Sequence, residues 1–234
     1  MGYRLLPVIY ELIDWRTPMI KLLLVLAIVL LAGLLFFEKW KNPNGILPTK
    51  TVLSLLFIVT AISQIHFMQP YTIFIIIGLL FCLGGDVFLA LPQNKMFLFG
   101  LVSFLLGHVC YVIGFFWIAY PNSMTLIGIL VTMLLGVLIY TWLKPHLGTM
   151  KKPVIAYILV ISFMFIGAWS VLGMPQQPIM VRVLIFVGAA SFYISDIFVA
   201  RDRFLKNAFM NRLFGLPLYY LAQFMIAFSI GMVR

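Results

Sequence analysis

Charge is what this sequence is shortest of. Of 234 residues only 9% are Asp, Glu, Lys or Arg, and only 6 are acidic. A soluble domain carries about 25% charged residues, so a water-facing surface of this size has no adequate cover. Cysteine is scarce too. Cys82 and Cys110 both lie inside apolar runs, which argues against a disulfide framework and for two small core residues. Histidine is limited to His66, His108 and His146, with no two at metal-ligand spacing, so a zinc site with three protein ligands has nothing in its favour. Phosphate loop, dinucleotide fingerprint and nucleophile elbow are all missing. The expectation is a protein that works without a metal or cofactor.

Long apolar runs fill the space left by these absences. Hydrophobic residues make up 64% of the chain, with 22 Phe among them. A helix needs about 20 residues to cross about 30 Å of hydrocarbon. Eight runs reach that length, at about 19–37, 47–67, 70–91, 96–120, 124–143, 154–172, 179–200 and 213–232. Breakers such as Pro43-Asn44-Gly45 and Pro121-Asn122-Ser123 separate them. The fold class is therefore all-α, a polytopic membrane bundle of eight transmembrane helices over residues 19–234. Residues 1–18, with Glu11, Asp14 and Arg16, are expected to lie at the interface. The first run has no small-residue cleavage pattern and is expected to stay as a helix.

The net charge of +10 would suggest nucleic acid in a soluble protein. Here the cations sit at the ends of apolar runs, so membrane lipid is the expected partner and nucleic acid is not. Most basic residues fall in the connections 1–2, 3–4, 5–6 and 7–8. The opposite side carries only Arg4, Arg16, Lys21, Arg182 and Arg234. The positive-inside rule makes the first side cytoplasmic and both termini external. The expected location is an integral multi-pass position, in the plasma (inner) membrane if the source is bacterial.

The chain also repeats itself. Gly85-Asp86-Val87-Phe88-Leu89-Ala90 aligns with Ser195-Asp196-Ile197-Phe198-Val199-Ala200. A second match follows each: Gly100, Phe104, Gly107 and His108 correspond to Gly215, Tyr219, Ala222 and Gln223. Spans 3–4 thus echo spans 7–8. Two parallel four-helix repeats fit this pattern, because four spans return the chain to the same side, and such proteins often bind between their halves.

Ionisable groups inside hydrocarbon are costly, and their default reading is functional. Asp86 and Asp196 are the acids at membrane depth, while Glu38 and Asp202 are expected to be solvated at the interface. Lys50, His108, Tyr157, Tyr219, Tyr220 and Gln223 fall toward the same end, where one polar crevice would gather them. Each has a plainer reading: Lys50 as a snorkelling anchor, His108 and Gln223 as interhelical hydrogen bonds, the tyrosines as packing, and the aspartates as a structural network with Lys50. A pair of carboxyl groups suits acid-assisted hydrolysis of an ether or acetal-like bond, one protonated as general acid and the other ionised as general base. It suits proton-coupled transport of a small or lipid-like solute equally well, and a binding scaffold remains a third reading.

Four motifs carry a family resemblance. They are Gly84-Gly85-Asp86-Val87-Phe88-Leu89, Phe104-Leu105-Leu106-Gly107-His108-Val109-Cys110-Tyr111, Ser195-Asp196-Ile197-Phe198 and Tyr219-Tyr220-Leu221-Ala222-Gln223. In order and spacing they resemble the lysoplasmalogenase family, the YhhN-like membrane proteins, over roughly residues 20–232. The resemblance implies an eight-span enzyme that cleaves the vinyl ether bond of lysoplasmalogen to a fatty aldehyde and glycerophosphocholine or glycerophosphoethanolamine. It implies Asp86 and Asp196 as catalytic residues, and Lys50, His108, Tyr157, Tyr220 and Gln223 as the polar lining around a lysophospholipid substrate. Hydrolysis of another lysolipid bond stays open beside it, and Lys50 is expected to meet the lipid phosphate.

Overall fold

The structure, a computed structural model, describes residues 5–233. Among them are eight long helices: α1 (Leu5–Lys39), α2 (Pro43–Ser63), α3 (Pro70–Ala90), α4 (Asn94–Ile118), α5 (Ser123–Leu143), α6 (Lys151–Leu172), α7 (Ile179–Phe204) and α8 (Phe209–Ser229). Each contains a stretch long and apolar enough to cross a membrane; in α1 this stretch is Pro18–Lys39. Helices are the natural outcome, because hydrocarbon offers no water to satisfy an open backbone. The protein is an integral multi-pass membrane protein.

The ends follow local chemistry. Pro43 was expected to break the chain, yet it sits in the first turn of α2, where its missing N–H costs nothing. Asn42 caps that helix by accepting from the Asn44 N–H at 3.1 Å. A capping box formed by Asn122 and Thr125 starts α5. The expected basic loop after Leu143 is two short 3₁₀ turns, Lys144–His146 and Gly148–Met150, followed directly by α6. Arg201 and Arg203 belong to the last turn of α7 rather than to a loop, and Arg212 lies in α8. The backbone of α1 is continuous from Leu5. Of the residues 1–18 expected at the interface, the side chains of 1–17 lie outside those described.

The packing order explains the internal repeat. α3 packs most closely on α4, and α7 on α8. α4 then meets α6 as α8 meets α2, which closes a ring α2–α3–α4–α6–α7–α8. α1 lies outside against α2, and α5 lies outside against α6. The register matches as well. A Cβ on Gly100 would stand 3.3 Å from the Gly85 carbonyl, and one on Gly215 would stand 3.7 Å from the Ser195 carbonyl. These are the positions aligned by sequence.

Small residues let the helices of each hairpin approach. A Cβ on Gly107 would lie 2.9 Å from Cys82 Sγ and 3.0 Å from the Gly78 carbonyl oxygen. Overpacking of this kind costs roughly 1–3 kcal/mol. Gly107→Val is expected to lower the melting temperature of the detergent-extracted protein by several degrees. Gly136→Ala, whose Cβ would meet Ile158 at an ordinary 3.5 Å, should leave it near the parent value. Equal melting curves for the two variants would refute the close α3–α4 contact.

Candidate active site

Two carboxyl groups face one cleft from different helices, and each is built differently. Asp86 lies near the end of α3 with only 1% of its side chain exposed. Lys50 Nζ is 3.1 Å from its Oδ1. On Oδ2, the Ser54 hydroxyl donates at 2.6 Å and the Tyr219 hydroxyl at 2.5 Å. Lys50 and Ser54 stand one turn apart on α2, so a single helix face supplies both. The snorkelling reading of Lys50 is thereby replaced: the ammonium is buried and its partner is an acid, not a lipid phosphate. A charge this deep needs such a partner, because desolvation is expensive.

A relay of hydrogen bonds stands behind Asp86. Tyr111 donates to Gln223 Oε1 at 2.7 Å, and Gln223 Nε2 donates to the Tyr219 oxygen at 3.1 Å. Every proton points toward the carboxylate, which orients Tyr219 and leaves Gln223 satisfied at both ends. The Tyr220 hydroxyl lies 3.4 Å from Ser54 Oγ and 3.5 Å from the Lys50 carbonyl, bracing α2 against α8.

Asp196 on α7 is more open, with 19% of its side chain exposed. The Tyr157 hydroxyl of α6 donates to its Oδ2 at 2.6 Å. His108 Nε2 from α4 is 3.5 Å from the same oxygen and 3.4 Å from the Tyr157 oxygen. His108 is fully buried, its ring edge-to-face with Phe192 at 4.5 Å. Its Nδ1 has no hydrogen-bond partner among the described residues. Nε2 is thus the ring nitrogen that faces Asp196 and Tyr157.

Each acid is thus served from the opposite hairpin. Tyr219, from the α7–α8 hairpin, holds Asp86 of α3. His108, from the α3–α4 hairpin, stands beside Asp196 of α7. Tyr219 and His108 occupy positions that the repeat aligns with Phe104 and Gln223. Phe104 and Phe192 separate the two clusters, both edge-on to Tyr219 at 5.7 and 5.3 Å.

The cleft has a volume of about 100 Å³, room for several waters at the roughly 10–15 Å³ each requires. Asp86, Asp196, Lys50 and Tyr157 line it, together with apolar walls that include Leu101, Phe104, Ile158 and Ile161. His108, Tyr220 and Gln223 stand behind the lining, touching the residues that form it. Ser54 was not singled out from sequence, and Tyr219 was placed in the polar crevice but not in the substrate lining, although both hold a catalytic candidate. The signals were modest: Ser54 follows Lys50 by one helical turn, and Tyr219 is a phenol where the repeat has Phe104. Among the described residues no group of three or more His, Cys, Asp or Glu is placed to hold a metal ion.

Asp202 departs from expectation. It is 8% exposed rather than solvated. Oδ1 accepts from the Ala208 N–H at 3.2 Å and Asn211 Nδ2 at 3.1 Å; Oδ2 accepts from Asn207 Nδ2 at 3.2 Å and Arg212 Nη2 at 2.9 Å. Four donors on one carboxylate fasten the α7–α8 turn. Glu38, at the end of α1, reaches Arg212 from the other side at 3.9 Å.

Comparison with known proteins follows the same lines. The Bos taurus protein lysoplasmalogenase TMEM86A is 29% identical over 168 residues, an alignment that covers 69% of this chain and 66% of the bovine protein. The chain therefore spans just under two thirds of that relative's length. No solved structure matches it. The YhhN family matches residues 45–230, which run from the start of α2 through α8 and include both carboxyl groups, their partners and the cleft, so the chain belongs to the YhhN family.

Proposed function

We propose that this protein is a membrane-embedded hydrolase that cleaves the vinyl ether bond of a lysoplasmalogen, releasing a fatty aldehyde and a glycerophospho-alcohol. The observation that carries the reading is the unequal pair of acids on one apolar cleft: Asp86 locked to Lys50, Asp196 open to the cleft beside Tyr157 and His108. The name of the bovine relative supplies the bond type.

Vinyl ether hydrolysis needs a proton on carbon and a stabilised cation. Asp196, in its protonated form, delivers the proton to the vinyl carbon remote from the ether oxygen. The carbon bound to that oxygen becomes an oxocarbenium ion. Asp86, ionised against Lys50, presents an oriented dipole to the cleft and steadies the cation. Water then adds to the cationic carbon and gives its proton back to Asp196, assisted by His108. The hemiacetal collapses: its hydroxyl loses a proton, the carbon–oxygen bond to glycerol breaks, and the departing oxygen takes a proton. One water is consumed and no redox partner is needed. Tyr157 holds Asp196 in place, and Ile158, Ile161 and Phe104 receive the apolar chain.

The direct test follows aldehyde release from a 1-alkenyl lysophospholipid by detergent-purified protein. Turnover of the alkenyl lipid, with none of its 1-acyl counterpart, is the expected result. Solute flux in proteoliposomes without any aldehyde would replace hydrolysis with transport. Cleavage of the acyl lipid alone would move the activity to another lysolipid bond.

A further inference from the structure

The cleft continues into a second, polar recess at the basic end of the bundle. This recess, about 260 Å³, shares Leu89, Phe97, Val199, Asp202 and Arg212 with the cleft and adds Gln93, Arg203 and Asn207. Its two cations are set differently. Arg212 is held by Asp202 at 2.9 Å and approached by Glu38 at 3.9 Å. Arg203 lies with its guanidinium 4.4 Å from the centre of the Phe97 ring, and among the described residues its side chain forms no hydrogen bond and no ion pair. Asp202 has its four donors already, so the exposed Arg203 presents to the mouth of the recess a cation with no carboxylate partner.

We infer that Arg203, stacked on Phe97 and seconded by Arg212, is the subsite for the phosphodiester of a lysophospholipid head group. This deepens the proposed function and rests on it for the substrate's identity. Arginine's planar fork fits a phosphate with two parallel hydrogen bonds, and an aromatic platform pre-orients that fork. Spacing agrees. Arg203 follows Asp196 by seven residues on α7, close to two full turns and about 10 Å along the axis, so both project from one face. A lysolipid with its ether carbon at Asp196 sends its three-carbon glycerol unit toward Arg203 and its apolar chain among Ile158 and Ile161. Lys50, held by Asp86, is not placed to do this. Phe97 belongs to both spaces and so forms the threshold between the chain and the head group.

The test measures binding, which does not depend on turnover. Purified parent protein, Arg203→Gln and Arg203→Lys are each titrated with 1-acyl lysophosphatidylcholine and with 1-monoacylglycerol of the same chain, in neutral detergent. The parent should prefer the phosphate-bearing lipid by roughly tenfold or more, the worth of one or two charge-assisted hydrogen bonds. Arg203→Gln should erase that preference, and Arg203→Lys should restore part of it. Equal loss of both lipids in Arg203→Gln would mean a structural role and would overturn the subsite. A preference in the parent that survives in Arg203→Gln would overturn it as well. A third outcome also counts against it: an effect seen only when anionic lipid is added would reassign Arg203 to attraction of the membrane surface. If the preference behaves as expected but no alkenyl lipid is cleaved, the phosphate subsite stands and the vinyl ether reading falls. If aldehyde is released without the preference, the reverse holds.

Discussion

Asp196→Asn is expected to lower aldehyde release by roughly 10²–10⁴-fold, the contribution of a positioned proton donor, while the protein still extracts and melts like the parent. Asn keeps the shape, and its Oδ1 still accepts from the Tyr157 hydroxyl that now sits 2.6 Å from Asp196. The substitution leaves no Lys or Arg without a counter-charge, because neither is paired with Asp196. The substitution removes the one thing an amide cannot supply, a transferable proton. Single-turnover measurement on protein matched for melting temperature is the decisive form. Rates within a few-fold of the parent would remove Asp196 from the chemistry.

Lys50 and Asp86 should behave as a pair. Lys50→Met leaves a carboxylate with 1% of its surface exposed and no counter-charge, and Asp86→Asn leaves an ammonium in the same state. Breaking a buried ion pair from one side costs about 3–5 kcal/mol, enough to abolish recovery of folded protein in many detergents. The double variant Lys50→Met/Asp86→Asn removes both charges and should regain most of the lost stability. It should still fail to turn over, because the oriented charge facing the cleft is gone. This cycle separates holding the fold from doing chemistry, which neither single variant can do. A Lys50→Met protein as stable as the parent would refute the buried pair, and a fully active double variant would leave Asp86 without a catalytic part.

The spans were legible because hydrocarbon imposes one requirement on every stretch of backbone, and runs of about 20 apolar residues report it directly. Span boundaries were less legible where a proline can start a helix as well as end one, as Pro43 does. Asp86 and Asp196 stood out because acids are rare at that depth. Their partners were gathered into one crevice, but which of them serves which acid was not legible. Lys50 at the start of α2 reads the same in sequence whether its side chain bends to lipid or to an acid on α3. Asp202 reads as a loop acid, and only the path of the α7–α8 turn makes it the centre of four hydrogen bonds. The crossing of Tyr219 to Asp86 and His108 toward Asp196 depends on the ring order of the helices, which a linear pattern does not contain.

That crossing sets a timetable for the growing chain. Lys50 and Asp86 are made close together, so their charges can meet once α3 has entered the membrane. The hydroxyl that completes Asp86 belongs to Tyr219, 133 residues later. At about 5–20 residues per second of synthesis, the carboxylate waits on the order of ten seconds for it. During that interval Lys50 and Ser54 alone must keep it in the bilayer. The first half of the protein therefore enters the membrane with a half-finished site, and the second half completes it only when the last helix arrives.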